Sequence, residues 1–220
     1  MSPATTTPTS DQSTPSRPSR SLAGQVAIVT GAGSVGDEIG NGRAIALLLA
    51  EDGASVVCVD RELSMAERTA EMIICEGKSA AMAVQGDVSS EDDCRHFLEA
   101  AMTRFGRLDI LVNNVGIMGA RGAAPDVDVA EWAKGLEVNV TSMMLMSKFA
   151  ISVMHKNEPG HGNIRGNIVN MGSVAGLQGG TPNLLYPTSK GAVVNMTRAM
   201  AAHHGKDGIR VNCVCPGKKD

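Results

Sequence analysis

Aromatic side chains are scarce: 220 residues hold three Phe, one Trp and a single tyrosine, Tyr186. A surface that recognises its ligand by aromatic stacking is not expected from such a chain. Positive charge is not in excess either, since 20 Lys and Arg face 23 Asp and Glu for a net charge of −3. The basic field that a nucleic-acid partner needs is therefore missing. Long apolar runs are absent as well. The longest, such as Ala44–Ala50, fall far short of the ~20 residues that cross a bilayer, so no membrane span is expected. The five cysteines, Cys58, Cys75, Cys94, Cys213 and Cys215, contain no C-x-x-C pair. With no secretory leader in view they read as buried thiols of a reducing, cytoplasmic compartment. Cys213 and Cys215 alternate with Val214 and share one face, yet no His or acid sits at ligand spacing, so no metal site is expected.

What is present suits one globular α/β domain. Hydrophobic residues make up 43% of the chain and mean hydropathy is −0.02, enough to bury a core. Residues 1–21 stand apart: six Ser, five Thr and four Pro fill fifteen positions, with Arg17 and Arg20 the only basic ones. Such a stretch cannot offset its ordering entropy and is expected to be disordered. Its prolines, Pro3, Pro8, Pro15 and Pro18, oppose the amphipathic helix of a transit peptide. The folded part is expected over 22–220, and no internal repeat is evident.

Apolar, β-branched runs bounded by Gly, Asp or Asn recur at Val26–Thr30, Ser55–Asp60, Ala80–Gly86, Asp109–Asn113, Asn167–Met171 and Arg210–Cys215. Near-continuous runs of this kind mark strands buried on both faces. Between them lie helical periods. Ser64 with Glu67 reads as a capping box. Ser90 with Asp93 reads as the cap of a helix whose Cys94, Phe97, Leu98, Ala101, Met102 and Phe105 share a stripe. The alternation predicts a Rossmann-like, doubly wound parallel sheet in three layers with right-handed crossovers. The segment from Val129 to His155 carries two stripes, one of Leu136, Val140, Met143, Met144, Ile151 and Met154, the other of Met146, Phe149 and Val153. A helix that only covers a sheet needs one stripe. The second points either to deep burial or, the favoured reading, to a homo-oligomer packed through helices 129–155 and 187–204.

The first strand runs into Gly31-Ala32-Gly33-Ser34-Val35-Gly36 and then Gly40-Asn41-Gly42 before the helical run that starts at Arg43. Strand, glycine loop and helix form the context in which backbone approaches a pyrophosphate at a helix N-terminus. Two registers compete: Gly31, Gly33 and Gly36 fit G-x-G-x-x-G, whereas Gly40, Asn41 and Gly42 lie directly at the helix. The next strand ends in Asp60, 18 residues after Gly42. A carboxylate there hydrogen-bonds a ribose 2′-hydroxyl and repels a 2′-phosphate, which favours NAD over NADP. Arg61 is the counter-argument, since it suits a phosphate.

Tyr186-Pro187-Thr188-Ser189-Lys190 places a phenol and an ammonium four residues apart at a helix start, hence on one face. Ser173 follows the strand Asn167–Met171, at the sheet edge where open α/β sheets bind ligands. Together with Thr30-Gly31, Asp60, Gly86-Asp87-Val88, Asn113-Asn114-Val115-Gly116, Asn139 and Pro216-Gly217, these motifs resemble the short-chain dehydrogenase/reductase family over Gly24 to Gly217. Within it the likeness leans toward fungal-type oxidoreductases. The resemblance implies hydride transfer between NAD(H) and a secondary alcohol or ketone. It implies that Asp87 holds the adenine amino group beside Val88, that Asn114 lines the cofactor, and that Asn139 binds a relay water. By the same likeness Ser173 holds the substrate oxygen, Tyr186 exchanges the proton, Lys190 lowers the tyrosine pKa, and Pro216-Gly217 flank the nicotinamide.

Two features depart from that pattern. Eight residues separate Gly31 from Gly40 where the family has three, so a bulge is expected, with Asp37 or Glu38 free to reach a cation or another subunit. The chain also stops at Lys218-Lys219-Asp220, where family members continue with a lid and a last strand. A truncated chain with an apolar sheet edge is therefore expected, and beside the enzyme stands a second hypothesis, a catalytically poor NAD-binding or interaction protein. His203-His204 read as a basic helix end, His161 as part of an exposed loop, and Met143–Met146 as core or interface filler.

Overall fold

The computed structural model describes residues 19–217. The expected Ser/Thr/Pro-rich tail lies outside the described residues as far as residue 18, and so does the Lys218-Lys219-Asp220 ending. Near the start of the described residues Arg20 faces Asp52 at 3.8 Å, and the Leu22 N–H donates to the Asp52 carbonyl (2.7 Å).

Six strands form one sheet: β1 (Val26–Thr30), β2 (Ser55–Asp60), β3 (Ala81–Gln85), β4 (Ile110–Asn113), β5 (Gly166–Met171) and β6 (Ile209–Val214). All pair in parallel, in the order β3-β2-β1-β4-β5-β6. This is the doubly wound α/β architecture. The winding reverses between β1 and β4, which opens a crevice outside the carboxyl ends of those two strands. Burial on both faces holds for the centre: every residue of β1 and β4 is buried. It fails at the edges, where Arg210, Asn212 and Val214 of β6 face outward. A strand at the sheet's edge needs only one apolar face, and the polar Arg210 and Asn212 alternate with buried Ile209 and Val211 accordingly.

Helices α1 (Asn41–Glu51) and α2 (Leu63–Glu76) cover one face, burying Ala46, Ala50, Ala66, Ala70 and Ile73 against Ala27, Val29, Val56 and Val112. Helices α3 (Glu91–Phe105), α4 (Val129–Leu136), α5 (Ser142–Met154) and α6 (Leu185–His204) follow. On the other face Phe97, Leu98, Met146, Ile151 and Met154 close over Ile28, Leu111, Ile168 and Ile209. α3 starts as expected, with Ser90 Oγ accepting from the Asp93 N–H (3.2 Å). The Ser64–Glu67 capping box does not form. Asp60 Oδ1 takes the Glu62 N–H (3.1 Å), the chain turns earlier, and Ser64 falls inside a helix that begins at Leu63.

The two stripes of 129–155 are both accounted for within one chain. α4 and α5 are joined by a π-helical turn, Glu137–Thr141. Phe149 and Val153 pack with Met146 into the core shared with α3, with the Arg95 guanidinium 5.0 Å above the Phe149 ring. Of the first stripe only Met144 is left facing outward, at 39% exposure. The second stripe exists because α5 touches the sheet and α3 at once.

Candidate active site

At the end of β1 the chain turns through Gly31 at φ +63° and reaches α1 with Gly40 as its N-cap. Gly42 sits one residue into the helix, where a Cβ would collide with the Gly31 carbonyl and come within 2.7 Å of Asn114 Nδ2. Only glycine allows that approach. Asn114 stitches the crossing from the other side: Nδ2 donates to the carbonyls of Thr30 (3.1 Å) and Gly31 (3.0 Å), and its N–H to Thr30 Oγ1 (3.1 Å). Of the two glycine registers, Gly40-Asn41-Gly42 therefore occupies the amide end of α1. Gly36 lies out on the loop in a left-handed conformation, φ +51°.

The extra loop is folded around a residue that the motif search passed over. Arg43 is fully buried. Its Nη1 donates to the carbonyls of Gly36 (2.6 Å) and Glu38 (2.7 Å), Nη2 to that of Ser34 (2.9 Å), and Nε to Thr69 Oγ1 (3.0 Å). Asp37, expected to reach a cation or another subunit, pairs with the Arg68 guanidinium on α2 at 2.8 Å. A signal was available: an arginine in the first turn opposes the helix dipole, so its placement there asks for a separate cause.

Asp60 ends β2 with both carboxylate oxygens turned to backbone: Oδ2 accepts from the Gly33 N–H (2.9 Å) and Oδ1 from that of Glu62. Arg61 beside it is exposed. Asp87 holds the turn after β3, its Oδ1 accepting from the Ser89 N–H (2.8 Å) and hydroxyl (2.7 Å). These bonds, the backbone one first, hold its carboxyl below the usual value of 3.8. Val88 is buried behind it.

On the opposite wall the end of β5 leads into Ser173, which caps a short 3₁₀ turn, its Oγ accepting from the Ala175 N–H (3.1 Å). The Pro216 carbonyl accepts from the Val174 N–H (3.1 Å), bringing the end of β6 alongside. Tyr186 and Lys190 lie one turn apart at the start of α6, with the ammonium 5.8 Å from the phenol ring's centre. Lys190 Nζ donates to the Met171 carbonyl (2.7 Å), and burial, above all, holds its pKa below the ordinary 10.5. Asn139 stands fully buried in the π-helical turn. Its Oδ1 accepts from the Ile117 N–H (2.8 Å) and its Nδ2 donates to the Ile117 carbonyl (2.8 Å) and Ser189 Oγ (3.0 Å). The amide is thus occupied by backbone. It steadies the loop after β4 and the base of the Tyr186 turn, since Ser189 Oγ donates to the Tyr186 carbonyl (2.8 Å).

These walls meet. A cleft of about 240 Å³ is lined by Asn41, Asn114, Gly116, Met171, Gly172, Ser173, Tyr186, Lys190, Pro216 and Gly217. A larger hollow of about 810 Å³ lies at the opposite sheet edge, where Arg107 and Asp109 pair at 2.7 Å. Asp60, Arg61, Asp87 and Val88 lie outside the cleft's lining, farther along the same sheet edge. His204, at the end of α6, faces Asp207 (3.8 Å) together with His155 of the α5 end (3.7 Å). Linear spacing hid this group of three possible ligands because α5 and α6 end side by side only in the fold. Burial pushes the Cys58 and Cys94 thiols up to about 12. Cys75, expected buried, is exposed on α2.

The family model for short chain dehydrogenases matches residues 25–220. The 2-(S)-hydroxypropyl-CoM dehydrogenase 3 of Xanthobacter autotrophicus is 40% identical over 199 residues, 90% of this chain and 73% of that protein. A short-chain dehydrogenase/reductase from Burkholderia xenovorans superposes with TM-score 0.83 at 37% identity, over 92% of this chain and 77% of its own. An NAD+-bound xylitol dehydrogenase superposes with TM-score 0.79 at 33% identity, over 89% and 70%. The organisms named are bacteria, and they lend nothing to the fungal-type likeness.

Proposed function

The chain belongs to the short-chain dehydrogenase family, and on that premise we propose that it moves hydride between NAD(H) and a secondary alcohol or ketone. The observation that carries the reading is the convergence of Ser173, Tyr186 and Lys190 with Asn114 and Gly116 on one cleft at the switch point of the sheet. The residues suit the dinucleotide: Gly42 lets the strand end at Gly31 pass close against α1, where any Cβ would clash, and the first N–H groups of α1 open beside it. Gly31, Gly40, Asn41 and Gly42 would hold the diphosphate, Asp60 the adenosine ribose, Asp87 and Val88 the adenine, and Asn114, Lys190, Pro216 and Gly217 the nicotinamide half. Asp60 favours NAD over NADP, because its carboxylate repels a 2′-phosphate. The NAD+ in the xylitol dehydrogenase is in keeping with that choice.

The bound nicotinamide supplies the hydride acceptor or donor. The chain's own groups handle the proton. Ser173 Oγ holds the substrate oxygen. Tyr186 takes the alcohol proton in oxidation and returns it in reduction. The Lys190 ammonium, 5.8 Å from the phenol ring's centre, stabilises the negative charge that develops on the oxygen as the proton moves. Asn139 fixes the Tyr186 turn through Ser189 and bounds a relay toward Lys190.

The test is NAD binding measured together with turnover on a panel of secondary alcohols and ketones. Turnover with NAD at higher kcat/KM than NADP is the expected result; higher kcat/KM with NADP overturns the cofactor choice. Binding without turnover selects a nucleotide-binding or interaction protein. Self-association through 129–155 and 187–204, with Met144 on the outer side, belongs to the same reading, as does a cytoplasmic setting for its free thiols. A strict monomer in sedimentation removes the self-association.

A further inference from the structure

We infer that Arg43 supplies buried counter-charge to the cofactor's diphosphate, and that the loop over residues 34–38 keeps that charge dry and fixed. This rests on the dinucleotide reading and deepens it. The guanidinium is fully buried, yet among the described residues no carboxylate lies within 4 Å of it. Of the acids in and beside the loop, Asp37 pairs with Arg68, Asp60 accepts from the Gly33 and Glu62 N–H groups, and Glu38 meets Arg43 through its backbone carbonyl. Three carbonyls and a hydroxyl satisfy its donors without cancelling its charge. An unpaired buried cation is costly, and this one stands at the positive end of α1, three residues past the N-cap, where the dipole adds to the cost. Both costs reverse when a dianion sits at the amide end formed by Gly40, Asn41 and Gly42.

The loop's backbone agrees. In a trans peptide the carbonyl and the following N–H point opposite ways, and the described residues contain no cis bond. With Ser34, Gly36 and Glu38 turning their carbonyls in to Arg43, the N–H groups of Val35, Asp37 and Ile39 turn away from it. Among the described residues none of these three donates a hydrogen bond. The loop thus presents amides outward and carbonyls inward, the polarity expected of a segment built between a cation and an anionic ligand. A simple bulge needs no arginine at its centre.

Calorimetric titration of the full chain with ADP and with adenosine, which differ by the diphosphate, tests the assignment. In Arg43→Gln, ADP affinity should fall roughly tenfold or more, while adenosine affinity stays within about twofold. Arg43→Lys, which keeps the charge with fewer donors, should retain most of the preference for ADP. Equal losses for both ligands in Arg43→Gln, or no loss for either, overturn the counter-charge. If Arg43→Gln does not fold, Arg43→Lys decides: a retained ADP preference upholds the assignment, a lost one ends it. Wild-type protein that binds neither ADP nor NAD fails the dinucleotide reading itself.

Discussion

The two walls of the cleft were reached in different ways. On the Ser173–Tyr186–Lys190 wall, each group sits where its local sequence places it: after a strand, or one helical turn from its partner. On the glycine wall, eight residues replace the usual three, and the arrangement depends on Arg43, which contacts residues five to nine positions earlier and Thr69 on another helix. Chemistry that acts through side-chain spacing on one element survives as a readable pattern. A cradle made of backbone tolerates insertion, provided that something buried ties the extra chain down.

Tyr186→Phe should separate the walls most sharply. Removing the proton carrier should lower kcat by about 10³-fold or more, while the NAD Kd, measured by quenching or calorimetry, stays within about twofold; retained turnover refutes the tyrosine's role. Gly42→Ala is the converse break. Its Cβ runs into the Gly31 carbonyl, an overpacking worth about 1–3 kcal/mol. The effect should appear as a lower Tm and a weaker NAD Kd, and an unchanged Kd would show that Gly42 does not shape the cofactor wall.

The Tyr186–Lys190 wall has a pH signature. Burial holds Lys190 below its ordinary 10.5. Between its folded value and 10.5 the unfolded chain binds a proton that the native chain does not, so this group's contribution to stability rises with pH across that window. Activity should fall across the same window, as the positive charge that Lys190 places beside Tyr186 is lost. Parallel denaturation and kcat/KM profiles check the opposite slopes, and an alkaline activity loss only above 10.5 contradicts them.

Smaller effects sharpen the glycine side. Thr69→Val removes the acceptor of Arg43 Nε and leaves a buried donor unpaired, costing about 1–3 kcal/mol. The loss should be read by urea unfolding, with kcat within about twofold; a stability change under about 0.5 kcal/mol would show that water replaces the hydroxyl. Asp37→Asn breaks only an exposed, solvent-screened pair and should leave the urea midpoint nearly unchanged. A larger loss would mean that the loop hangs on Arg68 rather than on Arg43.

Much of this molecule is legible in its sequence. The six strands, their parallel winding and the cap at Ser90 came from period and local turn chemistry, because burial on a sheet and an N-cap are decided by neighbours a few residues away. The Ser64–Glu67 capping box was misread for the opposite reason. Asp60, at a strand end, captured the Glu62 N–H and moved the helix start. The second stripe of 129–155 left its cover open for another reason: sequence counts apolar faces but does not say whether α3 or another chain covers them, and within the chain α3 packs on Phe149 and Val153.

By itself, the sequence determined the order of elements and the placement of Ser173, Tyr186, Lys190, Asn114 and Gly42 at element ends, because spacing along one helix or strand is spacing in space. The tertiary structure alone decided which glycine meets Gly31, that Asn139 is held by the Ile117 backbone, and that Arg43 lies at the centre of the extra loop. Those facts depend on contacts between segments distant in the chain or folded back on themselves, and no local period encodes them.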